Sequence, residues 1–286
     1  MTKLITKDTV VFYHGDCMDG FGAAWAVWKK MGDEADYIAL FHGSPIPVEV
    51  KNKNIIFVDF IPYENVLNKI IADNISVIAI DHHKTNSEKI KLIPENIFDL
   101  SKSGAVLAWE YFHKESAPLL LKYVQDMDLW EWKLENSKEI MIALELVDFN
   151  FESWDMLRMN LEDQNLKTKL IEEGKLLLKY QQILVNDIIK NSGQIVEFES
   201  YKIFAINSSV FSNEIGNYLA VNHPPFAIIW QQKGENTTVS LRSDQTVDVG
   251  AIAKKFGGGG HIGAAGFEIS LGVPLPWKVI KQDNEK

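Results

Sequence analysis

The sequence contains a single cysteine, Cys17, few prolines and no long apolar run. One cysteine cannot form a disulfide within the chain and is typical of a reducing compartment. With 9 Pro and 18 Gly in 286 residues, the composition excludes a collagen-like or low-complexity chain. No segment approaches the roughly 20 apolar residues of a membrane-spanning helix, and the first residues lack the apolar core of a signal peptide. We therefore expect a globular, cytoplasmic protein that does not bind membranes.

Excess positive charge is also absent. The formal net charge is −10, so the protein as a whole cannot attract a nucleic-acid backbone over long distances. A phosphate group must then be held by local contacts, and no extended basic tract is visible for a long strand. This pattern favours short or small nucleotide substrates and argues against long duplex nucleic acid.

The apolar content, 46%, is sufficient for buried cores, and the length favours two domains. Apolar, β-rich runs at residues 9–13, 54–60 and 76–83 alternate with helical patterns at 22–30 and 63–72, and a further helical pattern follows at 105–124. Near-continuous apolar strands that alternate with helices are typical of a parallel sheet covered on both faces. The pattern predicts an α/β fold whose N-terminal domain is a mostly parallel, doubly wound sheet.

The second part of the chain has a different texture. Residues 161–190 are rich in Leu, Lys, Glu and Gln and predict one long helix or two joined helices. Short β-rich segments follow, and they predict a smaller C-terminal α+β domain with an antiparallel-leaning sheet. The predicted division is a first domain over 1–160, a helical linker over 161–193 and a second domain over 194–286.

Polar side chains follow three of the predicted strands, where each strand ends. They are His14, Asp16, Cys17 and Asp19 after the first, Asp59 after the second, and Asp81, His82 and His83 after the third. Ligands of an open parallel sheet bind beyond the carboxyl ends of its strands, so we expect these groups to converge. Clustered carboxylates and imidazoles need a cation, and their oxygen and nitrogen ligands suit Mn²⁺, Mg²⁺ or Fe²⁺.

Two ions sharing this site are expected, with Asp59 placed to bridge them. Asp81 has a second interpretation, as an acceptor that orients an imidazole without binding metal. We assign Asp81 and His83 to catalysis on this basis.

A glycine run near the C-terminus predicts a phosphate contact. The segment SLRSDQ precedes VDVGAIAKKFGGGGHIGAAGF. Four consecutive glycines let the backbone approach a ligand and offer amide N–H groups to phosphate oxygens, and an arginine at a strand end can bind phosphate through two donors. The expected substrate-binding residues are Arg242, Ser243, Gly257, Gly258, Gly259, Gly260 and His261.

Four motifs in order, HGDCMDGFGAA, VDF, DHH and GGGGHIGAAGF, resemble those of the DHH/DHHA1 phosphoesterase superfamily over nearly the whole chain. The superfamily includes exonucleases related to RecJ, oligoribonucleases, bisphosphate nucleotide phosphatases and cyclic dinucleotide phosphodiesterases. The resemblance implies that the metal ligands are His14, Asp19, Asp59, His82 and one further Asp from YVQDMDLWEW. We prefer Asp126 for that position and keep Asp128 in reserve.

Cys17 departs from the family pattern, which places an Asp two residues before the Asp-Gly pair. Three interpretations stay open: Cys17 is a thiolate ligand, the neighbouring Asp16 substitutes for it, or one of the two metal positions is weakened. We favour the last, and expect Mn²⁺ or Mg²⁺, in two positions of unequal occupancy.

The sequence thus predicts a divalent-metal phosphoesterase that hydrolyses short oligonucleotides or small nucleotides. Trp130 and Trp132 are candidates for stacking on a base. Two alternatives remain: a cyclic or linear dinucleotide phosphodiesterase, and a nucleotide-binding module without catalysis because of Cys17. The sequence does not decide between a monomer and a homodimer.

Overall fold

The computed structural model describes residues 5–15, 17–41, 46 and 50–280. The chain divides into two compact units, Met1–Leu178 and Lys179–Lys286. The division falls within a single 29-residue helix, Gln164–Ser192. None of the helices in the described ranges combines the length with the apolar character that crossing a membrane requires.

Within the described residues of the first unit, five strands form a parallel sheet. They are β1 (Thr9–His14), β2 (Ala35–Leu40), β3 (Asn54–Val58), β4 (Ser76–Asp81) and β5 (Glu95–Phe98). Their spatial order is β2-β1-β3-β4-β5, and every pair is parallel. The predicted apolar runs form the central strands, which confirms the parallel sheet.

Helices cover both faces of this sheet. In chain order they are α1 (Met18–Met31), α2 (Glu64–Asp73), α3 (Gly104–His113), α4 (Leu119–Asp128), α5 (Ser137–Leu144), α6 (Phe151–Glu162) and α7 (Gln164–Ser192). Successive strand residues point to opposite faces, so Val11 packs in one core with Trp25 of α1, while Val10 packs in a second core with Leu67 of α2. The doubly wound arrangement is confirmed.

Two helix boundaries differ from the sequence prediction. The first helix begins at Met18 rather than at residue 22, because the side chain of Cys17 caps it. The helical pattern over 105–124 is two helices: Lys114 ends α3 in a left-handed conformation at φ +58, and Pro118 precedes α4. Proline cannot continue a helix from the preceding turn, so the apolar periodicity crosses a break.

In the described part of the second unit, seven strands form a mixed sheet, and two helices follow the end of α7. Its strands are β6 (Gly193–Phe198), β7 (Tyr201–Asn207), β8 (Phe226–Lys233), β9 (Asn236–Ser243), β10 (Gly259–Gly260), β11 (Ala264–Ser270) and β12 (Lys278–Val279), and its helices are α8 (Ser212–Asn222) and α9 (Val249–Lys255). The order is β10-β11-β9-β8-β7-β6-β12; β7 and β8 are parallel and the other described pairs are antiparallel. This confirms an α+β unit.

Candidate metal centre and phosphate-contact residues

The carboxyl ends of β1, β3 and β4 lie side by side at the centre of the parallel sheet. The chain runs outward from β1 to β2 on one side and to β3 on the other, so the strand order reverses between β1 and β3. Such a reversal opens a crevice at the ends of the strands. His14 ends β1, Asp59 follows β3, and Asp81 ends β4. The topology therefore brings the polar residues of the three strand ends together.

Asp59 lies at the middle of this cluster. Its backbone is left-handed, at φ +54, and its amide donates to the carbonyl of Ile80 at 2.9 Å. Its side chain is buried, and its two oxygens face different partners. Oδ2 lies 3.7 Å from His14 Nδ1 and 3.6 Å from Cys17 Sγ. Oδ1 lies 3.3 Å from His82 Nε2 and 3.6 Å from His83 Nδ1.

One group of donors is formed by His14, Cys17 and Asp59, whose ligand atoms lie within 4.8 Å of one another. Cys17 Sγ is 3.2 Å from His14 Nδ1 and accepts a hydrogen bond from the amide of Gly20 at 3.3 Å. The N-terminal capping of α1 thus fixes the position of the sulfur. Asp16, the neighbouring candidate, lies outside the described residues.

A second group is formed by Asp19, His82 and Asp128. His82 Nε2 lies 3.5 Å from Asp19 Oδ2 and 3.5 Å from Asp128 Oδ2. The buried carboxylate of Asp19 accepts hydrogen bonds from the amides of Gly104 at 2.7 Å and Ala105 at 3.0 Å, the first two residues of α3. These N-terminal amides stabilise the negative charge of Asp19.

Of the two aspartates of the fourth motif, the structure places Asp128 within a donor group of the cluster. The carboxylate of Asp126 accepts hydrogen bonds from the amides of Lys133 at 2.8 Å and Leu134 at 3.1 Å. Its carbonyl accepts two more, from Glu131 and Trp132. Asp126 therefore organises the turn after α4, while Asp128 joins His82.

Asp81 and His83 form a hydrogen-bonded pair. Asp81 Oδ1 lies 2.7 Å from His83 Nδ1 and also accepts from the amides of His82 and His83. Asp81 Oδ2 accepts from the amide group of Asn86 at 2.5 Å. All these contacts fall within one loop, and Asp81 is fully buried. Asp81 therefore orients the imidazole of His83. The Nδ1 atom of that ring faces Asp81, and the Nε2 atom points away from it.

The cluster perturbs the pKa values of its members strongly. Burial raises the pKa of Asp19 well above its ordinary value, with Asp59 and Asp128 adding to the effect. Burial also raises the pKa of Asp128. Burial alone would raise the pKa of Asp59, but His14, His82 and His83 hold it well below its usual range.

The pKa values of the two central histidines are both raised. Burial alone would lower the pKa of His82, but Asp59, together with Asp19 and Asp128, raises it to about 9. The pKa of His83 is raised as well, because Asp81 more than offsets its burial. Burial, with the charge of Asp59, raises the pKa of the Cys17 thiol.

The donor set fits a divalent cation. Asp59 Oδ1 and His82 Nε2 are buried and have no hydrogen-bond partner. They lie 3.3 Å apart, but not at an angle that forms a hydrogen bond. Buried polar atoms without partners cost free energy, and a cation bound to both atoms removes that cost. Carboxylate oxygen and imidazole nitrogen are the ligands that Mn²⁺ accepts readily.

Sequence reasoning missed Gly104. A Cβ at this position would lie 2.8 Å from Asp59 Cβ and 3.0 Å from Asp19 Oδ2. The sequence carries a helix-start signal at Ser103, whose side chain caps α3. No signal indicates that this helix begins against residues 45 and 85 positions earlier.

In the second unit, Arg242 lies on β9 and is held by α8. Its Nε and Nη2 both donate to Asn213 Oδ1, at 3.1 and 2.5 Å, and its Nη1 donates to the carbonyl of Leu241 at 2.8 Å. A Cβ on Gly216 would lie 2.5 Å from Arg242 Cγ, so only glycine leaves room for the arginine. Burial lowers the pKa of Arg242, and Glu214 opposes this.

The other predicted phosphate contacts differ in availability. Ser243 Oγ donates to the carbonyl of Val247 and accepts from the amide of Gln245, so it shapes its own loop. The amides of Gly257 and Gly258 donate to carbonyls of α9 and end that helix. Gly259 and Gly260 form β10, and His261 next to them is exposed.

The turn after α4 presents an exposed aromatic residue. Trp130 is 51% exposed, and its backbone is left-handed at φ +57. Its ring meets that of Trp132 edge-on, with centroids 5.1 Å apart. Trp130 follows Asp128 by two residues, so its Cα lies within about 7 Å of the Cα of Asp128. Trp132 is partly buried against the core.

The chain is similar to known proteins in sequence and in fold. Residues 201–276 match the DHHA1 domain family. An uncharacterized protein of Acanthamoeba polyphaga mimivirus is 33% identical over 94% of this chain, which spans 69% of the viral protein. Oligoribonuclease NrnB of Bacillus subtilis is 26% identical over 72% of this chain, with 56% of NrnB covered.

RecJ of Thermus thermophilus, crystallised with Mn²⁺, shares the fold with a TM-score of 0.52. The identity is 14%, and the match covers 92% of this chain and 49% of RecJ. With the motifs in family order along the sequence, these matches show that the chain belongs to the DHH/DHHA1 phosphoesterase superfamily.

Proposed function

We propose that the protein is a divalent-metal-dependent phosphoesterase that hydrolyses short oligonucleotides or small nucleotides. One observation carries the proposal: the buried Asp59 carboxylate directs one oxygen to His14 and Cys17 and the other to His82 and His83. A carboxylate between two donor groups is the arrangement expected of a bridge between two ions.

The ligands in this proposal are His14, Asp59, His82, Asp19 and Asp128, with Mn²⁺ or Mg²⁺ as the ions. A divalent cation held there supplies positive charge for the phosphoryl group and makes water more acidic at neutral pH. The protein's own contribution is to hold five donors in place through strand ends, the cap of α1 and the start of α3. Because the side chains of Asp19 and Asp59 are 1% exposed, the fold excludes bulk water from their charges.

His83 is proposed as the residue that handles the proton of the leaving group. Asp81 fixes the ring through Nδ1 and favours its protonated form, so Nε2 is the atom that donates. The side chain of His83 is 36% exposed, compared with 10% for His82, and can therefore meet a substrate. His82 is reserved for the metal centre in this assignment.

The second unit is proposed to bind the substrate's phosphate or neighbouring nucleotide. Arg242 carries a permanent positive charge, and Asn213 fixes the plane of its guanidinium group. Two backbone amides, those of Gly259 and Gly260, and the exposed His261 are the remaining candidates for phosphate contact. The division into a catalytic part over 1–160, a linker over 161–193 and a substrate-binding part over 194–286 belongs to the same proposal.

Two observations favour short substrates. The net charge of −10 gives no long-range attraction for an extended strand. The relative from Bacillus subtilis is an oligoribonuclease by name, at 26% identity. We therefore place RNA of two to five nucleotides first among the substrate classes.

The proposal is tested by hydrolysis in Mn²⁺ of a panel that contains short RNA, short DNA, adenosine 3′,5′-bisphosphate and cyclic dinucleotides. The expected result is release of mononucleotides from short RNA. His82→Ala and Asp59→Ala should each lower the rate by at least about 100-fold. His113→Gln serves as control, because His113 stacks on Trp109 away from the cluster. Absence of hydrolysis across the panel would refute the proposal.

A further inference from the structure

The two sides of Asp59 offer donors of different chemistry. The donors on one side are the Nδ1 nitrogen of His14 and the Sγ sulfur of Cys17. On the other stand the imidazole of His82 and the carboxylates of Asp19 and Asp128. Thiolate sulfur prefers borderline or soft ions such as Zn²⁺, Co²⁺ and Fe²⁺, whereas carboxylate oxygen suits Mn²⁺ and Mg²⁺. The two groups therefore do not select for the same metal.

The spacing of the first group matches one tetrahedral ion. With metal–ligand bonds of about 2.0–2.3 Å, tetrahedral ligand atoms lie about 3.3–3.8 Å apart. The three observed separations are 3.2 Å for Cys17 Sγ to His14 Nδ1, 3.6 Å for Cys17 Sγ to Asp59 Oδ2, and 3.7 Å for His14 Nδ1 to Asp59 Oδ2. Small movements of these atoms are sufficient to place all three around one centre.

The sulfur is also held in place by its own backbone. Cys17 caps α1 by accepting from the amide of Gly20, and the thiol has no second cysteine with which to form a disulfide. An independent feature points to a cation in the shared centre: the Asp59 side chain is 1% exposed, and Oδ1, its oxygen on the side of His82, has no hydrogen-bond partner. A buried carboxylate in this condition needs positive charge beside it.

We propose that Cys17 is a thiolate ligand and that the centre holds an unlike pair of metals. A borderline ion, Zn²⁺ in the first instance, binds His14, Cys17 and Asp59 Oδ2, while Mn²⁺ or Mg²⁺ binds Asp19, His82, Asp128 and Asp59 Oδ1. Binding of the first ion replaces the thiol proton, which is released to solvent as the metal–sulfur bond forms. This inference deepens the proposed function, since both use the same site.

The test is a titration of the metal-free protein with Co²⁺, followed by absorption spectroscopy. A cobalt–thiolate bond gives a sulfur-to-metal charge-transfer band, and the proposal expects that band to saturate at one ion per chain. Cys17→Ser should abolish the band. Asp128→Asn is the matched control and should retain it, because Asp128 belongs to the other group. Cys17→Asp should lose the band and bind Mn²⁺ at least about tenfold more tightly.

A second measurement uses the protein without any substitution, so it does not depend on whether a variant folds. Because the chain has one cysteine, its modification by a thiol reagent reports Cys17 alone. Zn²⁺ should slow that reaction at least tenfold, and Mg²⁺ should leave it nearly unchanged. Cobalt binding without a charge-transfer band, or equal protection by Mg²⁺ and Zn²⁺, would overturn the proposal.

Both readouts are independent of hydrolysis. A cobalt–thiolate band in a protein that cleaves no phosphate ester would leave this inference standing and refute the proposed function. Hydrolysis by a protein whose bound cobalt gives no such band would support the proposed function and refute the assignment of Cys17 as a ligand.

Discussion

Gly104 packs directly against Asp59: a Cβ atom at position 104 would lie 2.8 Å from Asp59 Cβ and 2.9 Å from its Oδ1. The amide of the same glycine donates to Asp19 Oδ2 at 2.7 Å. The start of α3 therefore sets the positions of two carboxylates from different parts of the chain. The absence of a side chain at Gly104 is a condition for the observed positions of these two carboxylates.

Gly104→Ala should displace Asp59 and weaken Mn²⁺ binding by at least about tenfold, with a loss of stability of about 1–3 kcal/mol from overpacking. Isothermal titration with Mn²⁺ and urea unfolding measure the two effects. Ala108→Gly, one turn along α3, is the control; it costs about 2 kcal/mol, from helix propensity and the loss of a buried methyl group, and leaves Gly104 in place. If both variants bind Mn²⁺ equally well, the role given to Gly104 is wrong.

The two aspartates at the end of α4 should separate stability from metal affinity. Asp128→Asn should lower Mn²⁺ affinity at least about tenfold, because it removes a carboxylate that lies 3.5 Å from His82 Nε2. With the Asp128 side chain 25% exposed, the free energy of unfolding of the metal-free protein should fall by less than about 1 kcal/mol. Asp126→Asn should cost about 1 kcal/mol of stability, through weaker hydrogen bonds to Lys133 and Leu134. Its Mn²⁺ affinity should stay within about threefold. If Asp126→Asn weakens Mn²⁺ binding more than Asp128→Asn does, Asp126 rather than Asp128 is the metal ligand.

The strand-end part of the site could be predicted from sequence, and the part on helices could not. Parallel strands end at one edge of a sheet, so His14, Asp59 and His82 had to lie near one another once the strands were identified. Asp126 and Asp128 are two positions apart on a helix, which places their side chains on opposite faces. A motif tells which pair is relevant, but only the orientation of α4 decides between the two.

Long-range packing also explains why the roles of two glycines could not be predicted from the sequence. The amide of Gly104 serves Asp19, 85 residues earlier, and Gly216 makes room for Arg242. Neither relationship leaves a periodic signal in the sequence. The glycine run also does two things at once, since Gly257 and Gly258 close α9 before Gly259 begins β10.

The stability of the metal-free protein should fall between pH 6.5 and 9. An unperturbed histidine has a pKa of about 6.5, and Asp59, Asp19 and Asp128 outweigh burial to raise the pKa of His82 to about 9. A raised pKa means that protonated His82 stabilises the fold fully below the unfolded value and loses this effect as the pH passes the folded value. The shift corresponds to at most about 3 kcal/mol.

Urea unfolding across this pH range measures the slope. His82→Gln should remove most of it, and His113→Gln should leave it unchanged. Mn²⁺ should reverse the trend, because a bound cation takes over the role of the proton. A metal-free protein that becomes more stable from pH 6.5 to 9 would contradict the assigned protonation.

Trp130 should contribute to binding the base of a nucleotide substrate. Its ring is half exposed, two residues after Asp128, on a turn whose amides donate hydrogen bonds to Asp126. Base stacking is worth about 1–3 kcal/mol, so Trp130→Ala should raise KM for a dinucleotide by roughly 5- to 150-fold. Trp130→Phe should restore most of the affinity. An abasic dinucleotide is the control substrate, and an equal effect of Trp130→Ala on both substrates would exclude stacking.

The most direct test of the metal centre is a crystal structure of the protein grown with Mn²⁺ and measured at the manganese absorption edge. We expect anomalous density beside Asp59 Oδ1, within bonding distance of His82, Asp19 and Asp128. Crystals that show no anomalous density within about 3 Å of Asp59 at saturating Mn²⁺ would contradict this expectation.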